Sequence, residues 1–220
     1  WVLLAFTSAF FLGFYDIAKK KSLNGNAVLS VLFCNTLFCA LIFLPFIVIS
    51  ATNPHLVDGS IFNASLHSVY GDGNQIGPLK AHLYIILKSF IVLSSWIMGY
   101  YALKHLPITI AGPVNATRPV LVLVGAVLLF GEKLNHLQWC GVAVSLFSLF
   151  LLSLSGRKEG IDFKSNKWVY ILFGAVIMGA IRGLYDKYIM KQLPPLFVQS
   201  WFNVYQVGIM GTVLLVMKRY

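Results

Sequence analysis

The chain has 220 residues, 58% of them hydrophobic and 11% charged, with a mean hydropathy of +0.79; a soluble domain carries about half apolar and about a quarter charged residues, and its core cannot hide this much apolar surface. The formal charge of +10 would point to nucleic acid in a soluble protein, but most lysines and arginines fall in short connections between apolar runs. That distribution orients membrane proteins, so the expected partner is the lipid bilayer, with no nucleic acid.

The first apolar run has no basic leader and no small-residue cleavage site, and it ends in charge, so it reads as a first transmembrane helix rather than a signal; Trp1 reads as following a lost initiator methionine. A helix needs about 20 residues to cross the hydrocarbon layer. Seven segments are of that order: 2–18, 27–50, 82–104, 108–130, 137–155, 167–188 and 197–217. Turn and cap chemistry separates them at "LNGN" (23–26), "HLP" (105–107), "GEKLNH" (131–136), "SGRKEGIDFKSNK" (155–167) and "LPP" (193–195). Such short connections make sequence neighbours antiparallel. The one long connection, 51–80, is rich in Asn, Gly, Ser and His and reads as a solvated loop; Asn63-Ala-Ser65 within it matches a glycosylation acceptor, which means little without a secretory context. Cys34, Cys39 and Cys140 lie inside apolar runs without metal-ligand spacing and read as packing residues. No cofactor is expected.

"GFYDIAKKKSL" at 13–23 returns as "GLYDKYIMKQL" at 183–193. A shift of 170 residues aligns Gly13 with Gly183, Tyr15 with Tyr185, Asp16 with Asp186, Lys21 with Lys191 and Leu23 with Leu193. Two residues fewer in the following turn then bring Asn35 over Asn203. The repeat unit therefore holds five helices, and an odd number inverts the second copy across the membrane. Inverted repeats are a recurring architecture of secondary transporters, with the substrate site near the midplane. The expected fold class is all-α, a polytopic membrane helix bundle. Residues 1–155 form the first repeat, and 156–220 hold the first two helices of the second, so the chain reads as seven helices of a ten-helix protein.

Residues 100–152, "YYALKHLPITIAGPVNATRPVLVLVGAVLLFGEKLNHLQWCGVAVSLFSLFLL", resemble the third-to-fifth helix block of EamA-type proteins of the drug/metabolite transporter superfamily. The matches are Ala102, Leu103, Pro107, Pro119, Gly131, Glu132, Leu134 and Gly141, with "FGEKL" the most specific part; "FFLGFYDIAKKKSL" is similar to the family's first helix. The resemblance implies two inverted five-helix repeats and transport of small metabolites through a central cavity. It does not name the cargo, because members carry amino acids, sugar phosphates, nucleotide-linked compounds and drugs. It also implies a multi-pass protein of the bacterial inner (plasma) membrane.

An ionised side chain in mid-membrane costs about 2.5–3.5 kcal/mol on insertion scales, so it faces the bundle interior or a wet cavity and usually has a partner. Asp16 has Lys20 four residues on, and Asp186 has Arg182 four residues before. Each pair reads either as a neutralised structural unit or as a cavity pair that exchanges partners with the cargo. Arg118 falls near the middle of 108–130 with Pro113 and Pro119 around it; a proline removes a backbone donor, and broken membrane helices are tolerated where they line protein or water. The guanidinium fork suits carboxylate or phosphate, the alternative being permanent pairing with Asp16 or Asp186. Family members generally carry an uncharged residue before that proline, so Arg118 departs from the pattern in a direction that favours anionic cargo or an internal counter-ion. Lys88 is expected to snorkel to the nearer interface. Trp96 and Tyr100 share a face and read as a cavity wall or as packing. Asn35 and Asn203 are candidates for a bond across helices, worth about 1 kcal/mol, and Glu132 sits where its charge favours a helix N-terminus. With Tyr15 and Tyr185 beside the aspartates, the substrate-binding set is Arg118, Asp16, Asp186, Tyr15, Tyr185, Lys20, Arg182, Asn35, Asn203 and Trp96. Asp16 or Asp186 is the candidate proton-sensing group.

Basic residues in connections number ten on one side (Lys19, Lys20, Lys21, Lys104, Arg157, Lys158, Lys164, Lys167, Lys218, Arg219) and four on the other (Lys80, Lys133, Lys187, Lys191). The positive-inside rule makes the richer side cytoplasmic; the family resemblance implies the opposite, with both ends cytoplasmic, and is the orientation adopted. The function expected is a secondary transporter of small metabolites, anionic or amino-acid-like, working by alternating access. The alternative is an integral-membrane enzyme acting on a lipid or lipid-linked substrate. That reading needs clustered acid, base or metal ligands, whereas His55, His67, His82, His105 and His136 are scattered with no i, i+4 pair and no phosphate-cradling glycine loop is present.

Overall fold

The computed structural model describes residues 2–52, 77–115, 117–131, 133, 135–156 and 166–217. Every regular element among them is helical: α1 (Val2–Ser22), α2 (Val28–Thr52), α3 (Pro78–His105), α4 (Ile108–Asn115), α5 (Arg118–Phe130), α6 (His136–Gly156), α7 (Lys167–Met190) and α8 (Pro195–Met217). Most of the expected 51–80 loop with Asn63, Glu132 and Leu134 of the "FGEKL" block, and the basic residues Arg157, Lys158, Lys164, Lys218 and Arg219 lie outside the described residues.

The caps explain where the helices stop and start. Gly131 adopts a left-handed φ of 64° and donates its N–H to the Val127 carbonyl at 3.1 Å, which ends α5. Asn135 opens α6: its side-chain oxygen accepts the His136 N–H at 2.7 Å while its own N–H goes to Gln138 Oε1 at 2.9 Å, one half of a capping box. Asn166 accepts the Trp168 N–H at 3.0 Å at the start of α7. The segment 108–130 is two helices, the first ending at Asn115 and the second beginning at Arg118 with Thr117 at its N-cap. Pro119 thereby falls in the first turn of α5, where a missing N–H breaks no helical bond. Pro45 lies inside α2, which runs on through it.

By contact the chain forms two units, Trp1–Val31 with Ser95–Ala180, and Leu32–Ser94 with Ile181–Tyr220. In the first unit α4 packs on α1 and α6 around buried Leu106, Ile110, Ala111 and Val114. The end of α3 lies close on α7 through small residues: Ser95 donates to the Ala175 carbonyl at 3.0 Å, and the Met98 methyl occupies the space a side chain at Gly174 would take. The His105 ring stacks on Trp168 with centroids 3.6 Å apart. Lys20 reaches from α1 to the carbonyls of Leu103 and, at 2.7 Å, Leu106. In the second unit Leu32, Ile85, Val92, Ile189, Phe197, Val198, Phe202 and Met210 are buried, and the Phe33 ring meets Gly211.

Many large apolar side chains face outward: Leu3 is 82% exposed, Phe6 74%, Leu128 78% and Leu137 80%. Exposed apolar surface on this scale marks a protein whose solvent is not water. Val28–Ile49, Leu79–His105 and Lys167–Met190 are long and apolar enough to cross a membrane, and Arg118–Phe130 is a shorter apolar helix. Three of the seven expected crossings thus reach full length and hydropathy among the described residues; the division of 108–130 into α4 and α5 shortens one of the others, and charge at its end dilutes α1.

Replacing Lys20 with Leu removes the ammonium from three carbonyls at and just past the C-terminal end of α3, those of Leu103, Lys104 and Leu106. The variant is expected to lose about 1–3 kcal/mol, read as a lower denaturant midpoint in detergent micelles; an unchanged midpoint would show that those carbonyls are satisfied without it.

Candidate functional site

The first unit gathers a set of charges and aromatics from α1, α3 and α5. Tyr15, Asp16 and Lys19 occupy adjoining positions on the last turns of α1. The Tyr15 and Tyr100 hydroxyls are 3.2 Å apart. The Lys19 ammonium sits 3.9 Å from the Tyr100 ring centroid and 5.8 Å from that of Tyr15, a cation–π arrangement. Asp16 lies one helical turn before Lys19 on the same helix. Trp96 stands one turn before Tyr100 on α3.

Arg118 is the first residue of α5, half-buried, with Nη2 donating to Asn115 Oδ1 at 3.3 Å across the break between α4 and α5. Its stem and guanidinium lie against Gly179 of α7: a Cβ there would come within 2.7 Å of Cζ and 2.9 Å of Cδ. The absent side chain at Gly179 is therefore what leaves room for the arginine in this position.

The expected Asp16–Lys20 pair is not formed. Lys20 commits its ammonium to the carbonyls of Leu103 and Leu106, which as helix-end acceptors lack intrahelical donors. The neighbour of Asp16 is Lys19, three residues on.

The second unit holds its own charge group. Lys88 Nζ is 2.9 Å from Asp186 Oδ1, and Arg182 Nε is 3.7 Å from Asp186 Oδ2, so the expected Arg182–Asp186 pair is present with a third member. The expectation that Lys88 snorkels is corrected: it is 3% exposed, ion-paired across helices and 4.8 Å from the Phe202 ring. An opposing carboxylate in low dielectric outweighs the pull of the interface. The Tyr185 hydroxyl donates to the Tyr84 carbonyl at 3.2 Å, and Tyr205 meets His82 Nδ1 at 2.9 Å. No hydrogen bond joins Asn35 to Asn203 among the described residues; Asn203 Nδ2 and both amide atoms of Gln206 are buried there without a hydrogen-bond partner.

Of the ten candidate residues, Tyr15, Asp16, Lys20, Trp96 and Arg118 fall in the first unit and Asn35, Arg182, Tyr185, Asp186 and Asn203 in the second. Sequence reasoning missed Lys19, Lys88, Gln206 and Gly179. Lys19 was hidden in a run of three lysines, though its i, i+3 spacing from Asp16 was visible, and Gln206 was visible as a second amide one turn from Asn203. Gly179 carried no signal, because its role depends on a side chain 61 positions away.

A family model described as "EamA-like transporter family" matches residues 1–154. A relative from Sinorhizobium sp described as "Uncharacterized transporter in cobO 3'region" is 31% identical over 77 residues, which is 35% of this chain and 55% of the relative. The chain thus spans about half the length of that curated relative. No solved structure matches the chain.

Two outcomes are expected from these contacts. Replacing Asp186 with Asn leaves the Lys88 ammonium buried without its counter-charge and costs about 3–5 kcal/mol, whereas the double replacement Lys88→Met with Asp186→Leu recovers most of it; denaturation of the three proteins in micelles checks this, and equal losses in single and double variants would refute the pairing argument. Gly179→Ala is expected to keep the fold, because the end of a flexible side chain can yield, but to displace the Arg118 guanidinium. A cysteine-labelling or spectroscopic probe placed beside Asn115 reads that displacement, and an unmoved probe overturns it.

Proposed function

From the premise that the chain belongs to the EamA-like transporter family, and is thus a multi-pass integral membrane protein, we propose that it is a secondary transporter that moves small anionic or amino-acid-like metabolites across the bacterial inner membrane by alternating access. The transporter-described relative supports the general activity. The observation that carries the cargo reading is the charge of the first unit: the half-buried Arg118 guanidinium at the start of α5 and the Lys19 ammonium over the Tyr100 ring, with Asp16 the one carboxylate among that unit's described residues. Lys20 adds a third cation, spent on backbone carbonyls. A net positive charge in an apolar bundle is costly unless something anionic visits it, and the guanidinium fork offers paired donors to a carboxylate or phosphate. The full architecture proposed is ten helices in two inverted repeats, the doubled Tyr-Asp motif of α1 and α7 marking corresponding positions. Asp16 or Asp186 is the proposed proton-sensing group that couples transport to a gradient.

The test is uptake of labelled carboxylates and phosphorylated metabolites into vesicles with and without a proton gradient, for the unaltered protein and for Arg118→Leu. Loss of at least about tenfold in uptake of acidic cargo is expected, the size of one charge-assisted contact, with protein amount and micellar stability kept. Unchanged uptake removes Arg118 from the site. Product formation in detergent, without compartments, would favour a membrane enzyme instead.

A further inference from the structure

Two carboxamides stand near the middle of α8, Asn203 and Gln206, three residues apart and so on one face of the helix. Both are buried, at 2% and 1% exposure. Asn203 Nδ2, Gln206 Nε2 and Gln206 Oε1 have no hydrogen-bond partner. Interchanging the oxygen and nitrogen of Gln206 does not cure this, because both are unpartnered. Other polar groups of the second unit are engaged elsewhere. Tyr205 meets His82 Nδ1, Lys88 meets Asp186, and the hydroxyls of Thr36 and Ser89 donate to the carbonyls of Phe33 and Ile85 on their own helices, each at 2.9 Å. A direct bond between the two carboxamides would answer Asn203 Nδ2 and Gln206 Oε1 and still strand Gln206 Nε2. An apolar interior penalises every such orphan.

We infer that Asn203 and Gln206 hold an internal water at mid-height of α8. A buried water makes about three hydrogen bonds to groups otherwise unsatisfied, and these three atoms offer that number. Its oxygen accepts from the N–H groups of Asn203 and Gln206, and one of its protons goes to Gln206 Oε1. The mixture of donors and acceptor selects the occupant. An anion suits the two N–H groups and is repelled by Oε1, whereas a cation suits Oε1 and is repelled by the N–H groups. A small neutral molecule that both donates and accepts answers all three. The second unit therefore carries its own hydration within an apolar helix bundle, and this holds whatever the cargo is.

The experiment is solid-state NMR of the full chain in lipid bilayers, with the side-chain amide protons of Asn203 and Gln206 assigned through their own backbone resonances. Both amides are expected to give cross-peaks to the water resonance. Assigned amides with no such cross-peak overturn the inference. Cross-peaks to added glycerol in place of water give the site to a solute hydroxyl and overturn it too. A second measurement reads stability in micelles. Gln206→Met is expected to lower the denaturant midpoint, because it strands Asn203 Nδ2 and the water together, and adding Asn203→Leu is expected to restore most of the loss. A midpoint raised by Gln206→Met alone would show that the carboxamide was a dry orphan, against the inference. None of these readings involves transport, so their failure leaves the proposed function untouched.

Discussion

The structure depends on one constraint: an ionised group inside an apolar bundle must be answered by another polar group within reach. Lys88 shows the strict form of it. Its ammonium is buried to 3% exposure, and the carboxylate of Asp186 at 2.9 Å is what makes that burial tolerable. Arg182, more exposed than either, extends the pair from its own helix. The same constraint explains Lys20, which spends its charge on helix-end carbonyls, and Lys19, which spends it on an aromatic face. Each lysine in a greasy chain thus reports what lies opposite it.

Close approach of helices depends on what is absent. Ser95 reaches the Ala175 carbonyl, Met98 fills the notch at Gly174, and Arg118 lies in the space left by Gly179. Lipid offers no hydrophobic drive to bring helices together, so small residues that permit contact carry a larger share of the association. On α7 they also serve the site, since Gly174 and Gly179 are five residues apart and one of them seats a methionine while the other seats a guanidinium.

Much of the helical plan is legible in the sequence, because apolar runs of membrane length and turn residues such as Gly131 and Asn135 act locally. The break between α4 and α5 was foreshadowed by Pro119 beside Arg118. Contacts within one helix were partly legible too: Arg182 and Asp186 pair as their spacing says. What stayed hidden were choices between partners. Asp16 had Lys19 and Lys20 to choose from, and the outcome turned on Leu103 and Leu106, carbonyls more than 80 positions away that compete for Lys20. Lys88 gave no sign that Asp186 would stand across from it, because a long stem fits both a buried pair and a reach to the interface.

The link from Lys20 to the carbonyls at Leu103 and Leu106 has a mechanical consequence. It ties the C-terminal turn of α1 to the hinge-like bend between α3 and α4, so these pieces are displaced together or not at all. Asp16 and Lys19, riding on the same turns of α1, keep a constant spacing to Tyr100 during any such displacement. The first helix then behaves as a strut clamped at one end, and whatever bends must do so beyond the clamp.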